Sequence, residues 1–202
     1  NNSISNSGGN INITSTGAVS KTVTVTTNTD NAIMFDGVND HIVLGDVLNI
    51  TNVASTVEAW VYWKGSSTDF SEIFTKEAVN AFAITSANKL HVNFGNGSLW
   101  SSGLNSTTSI PLNKWTHVAA TRSSSGVIKM YINGVLDAST TTINTTGSNT
   151  QNRVIGGKLV GSTLYGSFTG AIDNIKFWNV EKTSSDITSG MFTELAGNET
   201  DL

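Results

Sequence analysis

Fifteen Asp and Glu, three histidines, three tyrosines and five tryptophans are the side chains through which this 202-residue chain can do chemistry. Acid–base catalysis needs such groups within hydrogen-bond reach of one another. The acidic pairs Asp36/Asp40 and Glu194/Glu199 instead fall in turns or near the terminus. Glu58 stands in an alternating run, opposite Val57, Ala59 and Val61, where a carboxylate is expected to bond the scaffold. His41 and His91 show no partner spacing of the zinc kind. His117 lies inside an apolar run and is read as a packing residue. Cysteine is absent, which removes a thiolate nucleophile, a thiolate metal site and a disulfide framework. Serine-triad and phosphate-loop signatures are also missing. The expectation is a chain that is not an enzyme.

Binding asks for less: an exposed ring for an apolar ligand face, with Asn, Asp or Arg nearby for hydroxyls. Three candidate ligand-binding residues follow. Trp100 lies in the Gly-rich stretch Gly95-Asn-Gly-Ser-Leu-Trp-Ser-Ser-Gly, which reads as a loop. Tyr165 occurs in Gly161-Ser-Thr-Leu-Tyr-Gly-Ser, and Trp63 precedes Lys64 at the end of a strand-like run.

The elements that must position these residues are nearly all strands. Eleven short runs between Ile33 and Trp178 alternate apolar and polar residues or are rich in β-branched and aromatic types. Gly, Asn, Asp and Ser separate them. Asn133-Gly134, between Lys129-Met-Tyr-Ile and Val135-Leu-Asp, is a two-residue hairpin signal because both positions accept positive φ. Helical spacing is confined to Ser184–Leu195, with Ser184 or Ser185 as cap and Ile187, Met191 and Leu195 four residues apart. Such a series of short strands predicts an all-β antiparallel sandwich or jelly roll over residues 29–192. Residues 1–28 read as a separate arm: an Asn/Ser/Gly-rich leader, then two period-two runs within residues 11–27. A lone hairpin is marginal in water. The arm is therefore expected to pack on its own sandwich or to add a strand to a second copy, giving a homo-oligomer. Residues 193–202 form a tail.

Only 13% of residues are charged and the net charge is −4. Solubility rests on 25 Ser, 28 Thr and 23 Asn, a composition expected of a secreted or surface-displayed protein. Eleven scattered basic residues make no patch for phosphates, so nucleic acid is not an expected partner. No apolar run approaches the ~18 residues that span a bilayer. A chain opening on Asn1 is compatible with a removed leader or an excised domain.

Several runs carry a family resemblance in the right order. Ala32-Ile-Met-Phe-Asp-Gly-Val-Asn-Asp-His-Ile-Val-Leu is followed by Thr56-Val-Glu-Ala-Trp-Val, Lys114-Trp-Thr-His-Val-Ala-Ala-Thr and Lys129-Met-Tyr-Ile-Asn-Gly-Val-Leu. Ile155-Gly-Gly and Phe168-Thr-Gly-Ala-Ile-Asp-Asn-Ile-Lys-Phe-Trp close the series. Together these blocks, over about residues 32–180, resemble concanavalin-A-like jelly rolls of the laminin-G and pentraxin type. The resemblance implies an antiparallel jelly roll in which Trp60, Trp115 and Trp178 are core anchors. It also implies one structural calcium joining the first and last strands, with Asp173 and the Asp36-Gly37 turn as ligands, since carboxylate and carbonyl oxygens suit that ion. Laminarinase-type hydrolases of the same fold carry an E-x-D-x-x-E cluster, which is missing here. The expected function is non-catalytic recognition of a glycan or other cell-surface ligand. The rival expectation is a structural subunit, a virion fibre or decoration protein or a surface filament protomer, assembled through the arm.

Overall fold

The computed structural model describes residues 32–49, 51–66, 69–140, 146–195, 199 and 201–202, so the arm expected over residues 1–28 lies outside the described residues. In chain order the strands are β1 (Ile33–Asp36), β2 (Ile42–Gly45), β3 (Ser55–Trp63), β4 (Phe70–Lys76), β5 (Asn80–Thr85), β6 (Lys89–Phe94) and β7 (Leu104–Ser109). There follow β8 (Trp115–Arg122), β9 (Ile128–Ile132), β10 (Val135–Thr140), β11 (Arg153–Ile155), β12 (Lys158–Val160), β13 (Thr163–Tyr165) and β14 (Thr169–Trp178). One helix, α1 (Ser184–Gly190), comes last. The first sheet has the order β1-β14-β3-β8-β9-β10 and the second β2-β11-β4-β5-β6-β7, while β12 and β13 pair as a separate hairpin. Pairing is antiparallel throughout, so the expected jelly-roll sandwich is what the chain forms.

Alternation along each strand builds the core. Val57, Ala59, Val61 and Trp63 of β3 point inward with Val118 and Ala120 of β8 and Ile128 and Met130 of β9. From the other sheet come Phe82 and Ile84 of β5 and Leu90, Val92 and Phe94 of β6. Each large side chain withdrawn from water contributes about 1.5–3 kcal/mol. Asn133 and Gly134 join β9 to β10 with φ of 50° and 78°, as their types require. Two of the buried cations belong to the second sheet. Arg153 stacks 4.8 Å from the Phe74 ring and donates to Asn80 Oδ1 and the Leu48 carbonyl. Lys76 donates to Asp46 Oδ1 and Asn49 Oδ1.

The outer face of the first sheet is closed by the segment after β14. The expected helix is shorter than its spacing suggests and starts one residue earlier. Thr183 is the cap and, with Asp186, forms a reciprocal capping box; the helix ends at Gly190, so Met191 and Leu195 do not continue its apolar stripe. Ile187 instead packs on Ala119 and Tyr131. Beyond the helix, Trp60 Nε1 donates to the Met191 carbonyl at 2.7 Å, and Lys176 Nζ donates to the carbonyls of Gly190 and Thr193. Trp60 and Trp115 are therefore not core anchors. Both are half-buried on the outward side, Trp60 between His117 and Phe192 and Trp115 beside Tyr62.

Glu58 organises this surface. Its Oε1 accepts from Trp178 Nε1 at 2.8 Å, and its Oε2 lies 3.1 Å from His117 Nε2. Burial opposes its ionisation, but the bonds from His117 and Trp178 and the Lys176 ammonium together hold the carboxyl below its ordinary range. Removing one partner of a buried pair leaves the others unsatisfied. Glu58→Ala is expected to lose about 3–5 kcal/mol in urea denaturation; a loss below about 1 kcal/mol would show that the network contributes little.

Candidate functional site

The outer face of the second sheet has a different lining. In β6 the inward Leu90, Val92 and Phe94 leave Lys89, His91 and Asn93 pointing out. In β5 the outward residues are Ala81 and Ala83, whose small side chains make a low floor. A register shift in β4 between Glu72 and Phe74 puts both Glu72 and Thr75 on this outer side, where Thr75 Oγ1 donates to Glu72 Oε2 at 2.6 Å. Glu72, Ala83, His91 and Asn105 lie opposite one another across four strands. The His91 ring lies 4.7 Å from that of Phe70, and its Nδ1 is 2.7 Å from Asn105 Oδ1. Burial lowers the pKa of His91 more than the Asn105 bond raises it. Gly103 passes so close that a Cβ there would stand 2.2 Å from the imidazole.

Two chain segments rise around this floor. Gly156, at φ 77°, turns the chain off β11 toward the β12–β13 hairpin, and a Cβ at this position would strike the Phe35 ring at 2.1 Å. In the hairpin Lys158 lies directly opposite Tyr165. The second segment is the loop after β6, pinned where Gly95 and Trp100 form an isolated bridge and where Asn149 Nδ2 donates to the carbonyls of Glu77 and Gly97. Lys158 links the two. Its Nζ is 5.8 Å from the Trp100 ring centroid and 3.6 Å from Glu77 Oε2, while Trp100 Nε1 donates to Glu77 Oε1 at 3.3 Å.

Trp100 and Tyr165, 65 positions apart in sequence, are thereby brought to one surface, with Trp100 half-buried and Tyr165 51% exposed. Trp63 is not part of it. Its indole is fully buried, donates to Asn88 Oδ1 at 2.8 Å and packs 5.3 Å from Phe168, so no ligand reaches it. The three residues expected to hold calcium do not converge either. Asp36 pairs with Thr169, so Asp173 lies four residues further along β14, roughly 13 Å away. Calcium draws its oxygens to about 2.3–2.6 Å, which rules out one ion shared by this pair. Asp36 instead accepts from the Val38 amide beside Gly37 and Asp173 accepts from the Asn174 amide, each within its own turn. Among the described residues no group of three or more His, Asp or Glu is placed to hold a metal.

Glu72, Glu77, Phe70, Asn105 and Lys158 were not singled out from the sequence, and His91 was weighed only as a zinc ligand. The outward Lys-His-Asn of β6 follows from simple alternation. Lys158 and Glu77 meet only through the hairpin and turn, for which the sequence holds no local signal. Glu72 is no general acid for a ligand: it is 3% exposed, and its amide donates to the Gly166 carbonyl under the hairpin. The surface offers rings, amides and two lysines, Lys89 and Lys158, a set suited to holding hydroxylated molecules.

A family model described as the concanavalin A-like lectin/glucanases superfamily matches residues 36–188, and the chain belongs to that superfamily. No curated protein matches it by sequence. Solved structures that share the fold include domain 4 of the extracellular arabinanase AbnA from Geobacillus stearothermophilus, in complex with arabinotriose. That match has 24% identity and a TM-score of 0.61, covering 78% of this chain and 75% of the other. The CBM40 of the Ruminococcus gnavus IT-sialidase, bound to α2,3-sialyllactose, matches at 12% identity and TM-score 0.59, covering 75% and 96%. A heptameric SAP-like pentraxin from Limulus polyphemus matches at 18% identity and TM-score 0.59, covering 79% and 80%.

Burial pushes the Glu72 carboxyl up to about 7, against the Thr75 bond and the Lys158 charge, with Glu77 adding to the rise. The native chain therefore keeps this proton where the unfolded chain has lost it. The group's stabilising contribution is complete below the ordinary value of 4.5 and is lost as pH rises to about 7. That loss is on the order of 3 kcal/mol. In Glu72→Gln the decline in stability over this window should be shallower by a similar amount, read by urea denaturation at stepped pH; parallel wild-type and variant profiles would contradict the assignment.

Proposed function

We propose that this chain is a non-catalytic glycan-binding module whose ligand lies on the outer face of the second sheet, between Trp100 and Tyr165. One observation carries the reading: Lys158 stands directly opposite Tyr165 in the β12–β13 hairpin and 5.8 Å from the Trp100 ring. Sugar rings present apolar C–H faces that stack on aromatic rings, and their hydroxyls pair with amides and carboxylates. Asn93, Asn105 and Glu77 supply such groups on the same side. Arabinotriose and α2,3-sialyllactose on two structures of this fold support the reading by analogy of architecture. On the outer face of the first sheet the chain after β14 covers Trp60 and Tyr131, while the Tyr62–Trp115 pair stays half-buried there. The Ser-, Thr- and Asn-rich composition fits display outside the cell.

A glycan array followed by calorimetry tests the proposal. Trp100→Ala and Tyr165→Ala should each weaken binding by about tenfold or more, the cost of removing a central aromatic contact. Phe192→Ala, on the opposite outer face, should leave affinity unchanged. Binding that survives both substitutions at full strength would place the ligand elsewhere.

A further inference from the structure

Resting on that reading of the same surface, the geometry points to an uncharged glycan as the ligand class, with acidic glycans turned away. An acidic sugar needs a cation with free donors, best a guanidinium fork. The chain has two arginines, and both are withdrawn: Arg153 is fully buried on the core side and Arg122 is 2% exposed and donates to the Val53 and Ser123 carbonyls. Two lysines border the surface. Lys158 is paired with Glu77 and lies over the Trp100 ring, and Lys89 donates to the Thr107 carbonyl. Lys76 faces the interior at the end of β4 and is held by Asp46.

Negative charge also lies beside Trp100, balanced by that same lysine. Glu77 Oε2 is buried without a hydrogen-bond donor and has only the Lys158 ammonium 3.6 Å away. The Glu72 carboxyl lies beneath the same hairpin and, once ionised, adds a second negative charge. A carboxylate or sulfate brought to Trp100 would have to displace Glu77 from Lys158 or sit beside it uncompensated. A neutral sugar faces no such cost: its C–H faces meet Trp100 and Tyr165, and its hydroxyls meet Asn93, Asn105 and the outward edge of the Lys158–Glu77 pair. Rejection by a like charge already holding the local cation is a common source of specificity.

The test titrates the full chain with arabinotriose and other neutral pentose and hexose oligosaccharides, and in parallel with α2,3-sialyllactose and oligogalacturonates, at low and high ionic strength. The expected result is binding of a neutral oligosaccharide with affinity nearly independent of salt, and acidic glycans at least about tenfold weaker. Glu77→Gln, which keeps an acceptor for Trp100, should narrow that gap severalfold. Preferential binding of an acidic glycan, weakened by salt and by Lys158→Met, would overturn the inference while leaving the site in place. Binding of neither class would sink the glycan reading itself, and this inference with it.

Discussion

A carboxylate withdrawn from water must find donors, and in this fold Glu58 finds them in Trp178 of the last strand and His117 of β8. That requirement fixes more than one side chain. Trp178 and Lys176 end β14 on the outward side of the first sheet, and the chain then returns across that side as α1. Trp60 donates to the Met191 carbonyl and Lys176 to those of Gly190 and Thr193, tying the end of the helix to the sheet. One outer face of the sandwich is consequently a second layer of structure. The other carries the β12–β13 hairpin and the Trp100 loop.

On that second face the β12–β13 hairpin closes over β4: the Glu72 amide donates to the Gly166 carbonyl, Glu72 is 3% exposed, and Lys158 lies 3.6 Å from Glu77 Oε2 and 5.8 Å from the Trp100 ring. The buried proton on Glu72 and the Lys158–Glu77 pair are therefore two consequences of one packing arrangement. Stability near neutral pH and the charge seen by a ligand are coupled through the same few residues.

The sandwich was legible because its strands alternate: the runs from Thr56 to Trp63, Lys89 to Phe94 and Trp115 to Arg122 all lie within observed strands. The strand β7 was not, since Leu104-Asn-Ser-Thr-Thr-Ser has a single apolar residue. It is held instead by the buried Ser106 hydroxyl, which accepts from the Leu90 amide, and by Asp137, which accepts from the amides of Thr107 and Thr108. Trp63 illustrates the opposite error. Its neighbour Lys64 suggested an exposed strand end, yet the period-two pattern running back to Val57 already assigns it to the core. Trp100 is half-buried and Tyr165 exposed, and their common link to Lys158 depends on long-range closure that spacing does not encode. The expected calcium ligands are separated for a related reason: the antiparallel register sets Asp173 four residues beyond the partner of Asp36.

The most direct measurement follows the five tryptophan indole N–H resonances while a neutral oligosaccharide such as arabinotriose is added. Each indole reports a different place: Trp63 the core, Trp60 and Trp178 the covered face, Trp115 the side beside Tyr62, and Trp100 the second sheet. The account predicts a saturable shift of the Trp100 signal with the other four unmoved. A shift at Trp60 or Trp115 with Trp100 unchanged would contradict it and move the ligand to the first sheet.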